Sequence, residues 1–231
     1  MCTDQPKKCM PIPGYGVFGL KKDRKFMSKP LLLIFVRAPK LGKVKSRLAQ
    51  TIGPENALQV YQELLQTTRA AATPIQATKW VCYADEIMEQ DLWAEADFEK
   101  HLQPSLPDLG HRMHTLFAKG LVEGYSPVVI IGSDCPGLTA AHLEEAFQKL
   151  TQTDLVLGPA KDGGYYLLGL NYLVPDLFAN IPWSTENVLT STVAVAEELE
   201  LVVSYLPVLA DVDEEADLAA WPHLQALVKV Q

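Results

Sequence analysis

Only four cysteines occur in the 231 residues, Cys2, Cys9, Cys82 and Cys135, with no C-x-x-C pair and no metal-ligand spacing. That scarcity excludes a disulfide scaffold and a zinc finger, and it predicts reduced thiols in a cytoplasmic protein. No apolar run approaches the roughly 18 residues that cross a bilayer, and the N-terminus lacks the apolar core of a signal peptide. Positive charge is in short supply: 20 Lys and Arg against 28 Asp and Glu leave a net charge of −8. Nucleic acid and anionic membrane are therefore poor candidates as partners. Neither a Ser-His-Asp nor a Cys-His arrangement is visible, and Cys135 has no activating neighbour. What is present, 48% hydrophobic and 21% charged residues, is the composition of a soluble domain long enough to bury a proper core.

Residues 1–29 stand apart. They are rich in Lys, Pro and Gly, show no helical or strand period, and contain a second methionine, Met27, just before the first strand. They are expected to be a mobile tail or a stretch upstream of the natural start, leaving 30–231 as the domain. Gly14, Gly16 and Gly19 match G-x-G-x-x-G, but a dinucleotide fingerprint must follow a strand and open a helix. Here Pro11 and Pro13 precede it and a Lys-rich run follows, so the match carries little.

From Leu31 onward, buried runs alternate with helical patterns. LLLIFV at 31–36, KWVCY at 79–83, VVII at 128–131 and LVL at 155–157 read as strands, the most apolar of them buried on both faces. Helices are expected after Gly53-Pro54 on Leu58, Tyr61, Leu64, Leu65 and Thr68, and around Met113, Leu116, Phe117, Gly120 and Leu121. Others are expected on Leu143, Ala146, Phe147 and Leu150, and on Val188 to Leu199 behind a Trp183-Ser184-Thr185 cap. The acidic stretch Glu86 to Lys100 is helical in composition, and a last strand falls within Leu201 to Ala210. The alternation predicts a single α/β domain with a mostly parallel sheet flanked by helices.

Ligands in such sheets bind at the carboxyl ends of strands, and there the unusual residues gather. After the first strand, Arg37, Lys40, Lys43, Lys45 and Arg47 put five cations into eleven residues around Gly42. In an acidic protein that loop is expected to cradle a di- or triphosphate, although a solvated basic turn is the plainer alternative. Asp134 follows the VVII strand, and Asp211 and Asp213 follow the last one. Hard cations such as Mg²⁺ or Mn²⁺ take carboxylates together with substrate phosphates, so Asp134 and Asp213 form a candidate metal site. Asp213 could instead cap the helix that follows it. Asp162-Gly163-Gly164 could be a tight hairpin turn. Alternatively, Gly163 and Gly164 let a substrate lie against the backbone beside Tyr165 while Asp162 serves as base.

In order, FVRAPKLGKVKSRL, PDLGHRM, IGSDCPGLT, LVLGPAKDGGYYLLGL, WST and ADVDEEADL cover about residues 31 to 220. Together they resemble a bacterial family of glycosyltransferases associated with arsenosugar biosynthesis. The resemblance implies a GT-A-type nucleotide-diphospho-sugar transferase fold, shared with molybdenum-cofactor and phospholactate guanylyltransferases. It also implies that Lys43, Lys45 and Arg47 meet phosphates, that Asp134 meets the metal, and that Asp162 to Tyr165 meet substrate. One departure stands out: the loop reads Ser133-Asp134-Cys135 where many such glycosyltransferases carry Asp-x-Asp. Glycosyl transfer from a nucleotide-sugar to a small hydroxylated acceptor is the expectation, with nucleotidyl transfer from an NTP to a phosphorylated molecule as the alternative.

Overall fold

Strands without polar interruptions must have both faces covered, and the computed structural model, which describes residues 29–95 and 97–228, shows how. The glycine pattern at 14–19 and nearly all of the proposed extension lie outside the described residues. Seven strands form one sheet: β1 (Leu31–Val36), β2 (Thr78–Tyr83), β3 (Phe98–Leu102), β4 (Val128–Ile131), β5 (Leu155–Pro159), β6 (Tyr165–Leu170) and β7 (Val203–Tyr205), in the order β3-β2-β1-β4-β6-β5-β7. Every neighbouring pair is parallel except those of β6, which runs antiparallel between β4 and β5. The helices are α1 (Ser46–Ile52), α2 (Pro54–Ala72), α3 (Leu109–Val122), α4 (Ala140–Lys149), α5 (Val188–Glu198) and α6 (Pro222–Gln225).

The period of two along β1 sorts its side chains between two cores. Leu32, Ile34 and Val36 pack with Tyr61 and Leu65 of α2 and Leu143 and Ala146 of α4. Leu31 and Leu33 pack on the other side with Met113, Leu116 and Phe117 of α3 and Ala196 of α5. A third cluster joins Leu48 and Ile52 of α1 to Val60 and Leu64 of α2, and draws in Val212, Leu218 and Leu224. That last cluster ties the C-terminal segment to the helix that follows the basic loop.

The structure departs from the sequence reading in several places. Residues 86–95 are irregular chain and turns with no helix, and β3 begins at Phe98. Asp91 is the reason: its carboxylate accepts from the Trp93 amide at 3.0 Å, receives Lys100 Nζ at 2.7 Å and bonds the Tyr83 hydroxyl. With Asp91 nearly buried, this network outweighs helical composition. The expected Trp183-Ser184-Thr185 cap is also displaced, because α5 starts only at Val188. Trp183 instead lies on Gly110 of α3, where an added Cβ would meet its Nε1 at 2.2 Å. Asp162-Gly163-Gly164 is the β5–β6 hairpin turn, with Gly163 at φ +87°. A Cβ at Gly163 would lie 2.1 Å from the Glu186 carbonyl oxygen, so both backbone angle and neighbour demand glycine.

One feature of the order positions the site. The chain leaves β1 for β2 on one side of it and later returns to β4 on the other. The loops after β1 and β4 therefore part at their carboxyl ends and leave a crevice, the topological switch point of an open α/β sheet.

Candidate functional site

A cleft of about 550 Å³ opens at that switch point, lined by Arg37, Lys43, Lys45 and Arg47 from the loop after β1 and by Ser133 and Asp134 after β4. Asp213 comes from the C-terminal segment, and Tyr61, Gln103, Arg112 and Ser184 complete the polar wall. Local packing holds the basic loop in shape. Val44 is buried in the core between exposed Lys43 and the Lys45 backbone, pinning the loop's middle. The Tyr61 hydroxyl accepts from the Arg37 amide at 2.8 Å, and Asp85 Oδ1 accepts from the Ala38 amide at 3.0 Å. Gly42 turns the loop at φ +70°.

At the centre of the cleft the two candidate metal ligands meet on one ammonium. Lys45 Nζ lies 2.6 Å from Asp134 Oδ1 and 2.9 Å from Asp213 Oδ1, with Arg47 Nη1 at 3.7 Å from Asp213 Oδ2. The Lys45 side chain is only 5% exposed, whereas Asp134 is 49% and Asp213 37% exposed. Burial pulls the Lys45 ammonium down, but Asp134 and then Asp213 outweigh it, and its pKa lies above the ordinary lysine value. Backbone bonding sets the distance between the carboxylates: the Asp134 carbonyl accepts from the Val212 amide at 3.0 Å, and Val212 is fully buried. Asp213 is not the helix cap. That role falls to Glu214, in a capping box with Asp217, whose Oδ2 accepts from the Asp213 and Glu214 amides at 2.9 and 2.8 Å. The Asp213 carboxylate is left to Lys45 and Arg47.

Asp134 and Asp213 fit a hard divalent cation as far as two carboxylates can. Among the described residues, His, Cys, Asp and Glu form no group of three that could hold a metal. Two carboxylates completed by substrate phosphates is a common arrangement for Mg²⁺. The donor set therefore suits a cation delivered with a phosphorylated ligand.

The other end of the cleft, at the carboxyl ends of β2 and β3, is built differently. Gln103 is buried and donates Nε2 to the Cys82 carbonyl at 2.8 Å, which turns Oε1 towards Arg112 Nη1 at 3.1 Å. Arg112 Nε also donates to the Asp108 carbonyl at 3.3 Å. Burial, then nearby Arg37, lowers the Arg112 pKa from its usual value. His114, in contrast, packs edge-on against Phe178.

The remaining predicted residues do not line the cleft. Asp162 is exposed and its Oδ1 accepts from the Gly164 amide at 2.9 Å, closing its own turn. Its placement therefore favours the turn reading over the expected base. Gly163 is committed to the hairpin, and Gly164 donates to it. Tyr165 points its buried phenol towards Thr192 of α5, and burial holds its pKa above the ordinary range. Its ring helps line a small apolar cavity of about 100 Å³ with Phe35, Leu109 and Met113. Cys135 is buried and its thiol is pushed up by that burial, so it offers no thiolate. Tyr61, Gln103 and Ser133 were not expected in the site. Tyr61 looked like one more residue of an apolar stripe, and nothing in the sequence marks Gln103.

The fold is that of the nucleotide-diphospho-sugar transferases. A Desulfovibrio desulfuricans protein, provisionally assigned as a nucleotide-diphospho-sugar transferase, superposes with a TM-score of 0.76 at 34% identity, over 83% of this chain and 85% of that one. The chain belongs to a family described as uncharacterized protein conserved in bacteria (DUF2064), whose pattern matches residues 67–185. More distant structures share the fold alone. CMP-2-keto-3-deoxy-manno-octonic acid synthetase complexed with CTP is 14% identical, with a TM-score of 0.55 over 86% of this chain and 99% of that one. A Mycobacterium tuberculosis protein crystallised with manganese is 13% identical, with a TM-score of 0.51 over 84% and 97%. No curated protein matches the chain significantly. No helix among the described residues is long and apolar enough to cross a membrane.

Proposed function

We propose that the protein is a metal-dependent glycosyltransferase that moves a sugar from a nucleotide-diphospho-sugar to a small hydroxylated acceptor. One observation carries the reading: Lys43, Lys45 and Arg47 face Asp134 and Asp213 across a single cleft at the switch point. The likeness to the Desulfovibrio protein supports the donor class. In this reading the acceptor oxygen bonds to the anomeric carbon as that carbon's bond to the diphosphate breaks. The hydroxyl proton passes to solvent water and the nucleoside diphosphate departs.

Lys43 and Arg47, exposed at the cleft's edge, receive the diphosphate oxygens, where charge grows in the transition state. Asp134 and Asp213 would hold Mg²⁺ or Mn²⁺, which when bound neutralises charge on the leaving diphosphate. Arg112, held by Gln103, bounds the end of the cleft at the β2 and β3 strands and presents a fixed donor to the rest of the nucleotide. The family match says nothing of arsenic, so the acceptor is defined here by its hydroxyl alone.

A second reading is nucleotidyl transfer, in which an acceptor phosphate attacks the α-phosphate of an NTP and pyrophosphate leaves. The lone aspartate of Ser133-Asp134-Cys135 favours it, and its anionic nucleophile would need no protein base. Release products separate the two. Purified protein with Mn²⁺ is offered a panel of nucleotide-sugars with polyol acceptors, and separately NTPs with sugar phosphates. Nucleoside diphosphate release supports glycosyl transfer; pyrophosphate release from NTPs replaces it with nucleotidyl transfer.

A further inference from the structure

We infer that Lys45 keeps the Asp134–Asp213 pair closed to a divalent cation until a diphosphate ligand draws its ammonium away. Metal and diphosphate would then enter as a coupled pair. The inference rests on the proposed diphosphate site and adds to it a role for one residue. Its basis is where the ammonium lies. Nζ is 2.6 Å and 2.9 Å from one oxygen of each aspartate. A Mg²⁺ ion shared by the same two oxygens would need the same space, at roughly 2.1 Å from each. Two cations cannot occupy it together.

Charge points the same way. Two carboxylates face Lys45 and, at longer range, Arg47, so the ligand-free cluster is already near balance. An incoming divalent cation would have to displace a hydrogen-bonded ammonium, leaving it 5% exposed with no other acid within ion-pair distance among the described residues. That cost is large for an almost buried charge. A diphosphate in the cleft removes it, since its oxygens offer Lys45 a new partner while completing the metal's ligand set. The held conformation is itself an unusual one. Lys45 has φ 47° and ψ 51°, a left-handed backbone that a lysine adopts only where its surroundings insist. Lys43 and Arg47 are both exposed, Arg47 with a longer 3.7 Å pairing to Asp213, so phosphate can reach them before it reaches Lys45. By linkage, each ligand must raise the other's affinity by the same factor.

The test is Mn²⁺ binding followed by electron paramagnetic resonance of the unbound ion, so that no turnover is needed. Wild type and Lys45→Met are each titrated alone and with inorganic pyrophosphate or UDP, allowing for Mn²⁺ complexed by those anions in solution. Without phosphate, Lys45→Met should bind Mn²⁺ at least tenfold more tightly than wild type. Wild type should gain at least tenfold from the diphosphate, and the variant should gain much less. Equal Mn²⁺ affinity of the two proteins without phosphate overturns the inference. Lys45→Gln, which keeps a hydrogen-bond donor between the carboxylates, carries the same expectation if Lys45→Met does not fold. A wild type that binds neither anion overturns the diphosphate site and the release step with it. The comparison of wild type with variant still decides whether Lys45 excludes the metal.

Discussion

Two loops leave the carboxyl ends of strands with an aspartate each, and they could hardly be used more differently. Asp134, after β4, finds its partner in Lys45, far away in sequence, and lines the cleft at the switch point. Asp162, after β5, finds its partner two residues on, in the Gly164 amide, and closes a hairpin. A carboxylate satisfied by its own turn has an explanation that ends with the fold. A half-exposed carboxylate held by a buried ammonium in a cleft is better explained by a ligand. The contrast separates an acid explained by its own turn from one placed to meet a ligand, where position in the sheet does not.

Breaking the contrast at its functional side should have the largest effect. Asp134→Asn removes half of the Lys45 pairing and one proposed metal ligand, and metal-dependent turnover is expected to fall by about a hundredfold or more. Steady-state rates at saturating Mn²⁺ check this, and unchanged turnover removes Asp134 from the metal site.

Next comes the turn itself. Gly163→Ala puts a Cβ against the Glu186 carbonyl in a left-handed backbone, and should destabilise the protein by about 2 kcal/mol or more. Chemical denaturation with an unchanged slope would confirm a local structural cost.

A smaller and purely ligand-side loss is expected at the exposed cations. Lys43→Ala and Arg47→Ala should each weaken nucleoside diphosphate binding by about tenfold, corresponding to a charge-assisted bond of roughly 1.5 kcal/mol, with little change in Tm. Titration calorimetry reads the first and a thermal melt the second.

The smallest effect sharpens the comparison. Asparagine can accept the same Gly164 bond, so Asp162→Asn should leave stability within about 0.5 kcal/mol and turnover within about threefold. Loss of turnover with donor binding intact would restore Asp162 as the base.

Much of this was legible in the residues. LLLIFV and VVII announced doubly covered strands, and the stripes of α2 and α3 fell on their cores because burial on one helix face writes a regular period. The basic loop and Asp134 were legible for a related reason: charge clustered beside a buried strand is rarely accidental. Partnership was not legible. Nothing local says that Asp162 bonds its own turn while Asp134 reaches Lys45, or that Glu214 caps in place of Asp213, because those choices depend on where distant segments are packed. Glu86 to Lys100 misled for the same reason, its helical composition being overruled by the part-buried bond that Lys100 donates to Asp91. Tyr61 served two purposes at once, its ring in the core and its hydroxyl on Arg37, and a hydrophobic pattern records only the first.

The account stands most directly on whether the cleft binds a nucleoside diphosphate through its basic loop. A thermal melt of the wild type and of the Lys43→Ala/Arg47→Ala double variant, each with Mn²⁺ and a panel of nucleotide-sugars, would decide it, since a ligand that binds only the folded state raises Tm. The account predicts stabilisation of the wild type by at least one nucleotide-sugar, dependent on Mn²⁺ and lost in the double variant. Equal stabilisation of both proteins, or none of the wild type by any nucleotide-sugar or NTP, would contradict it.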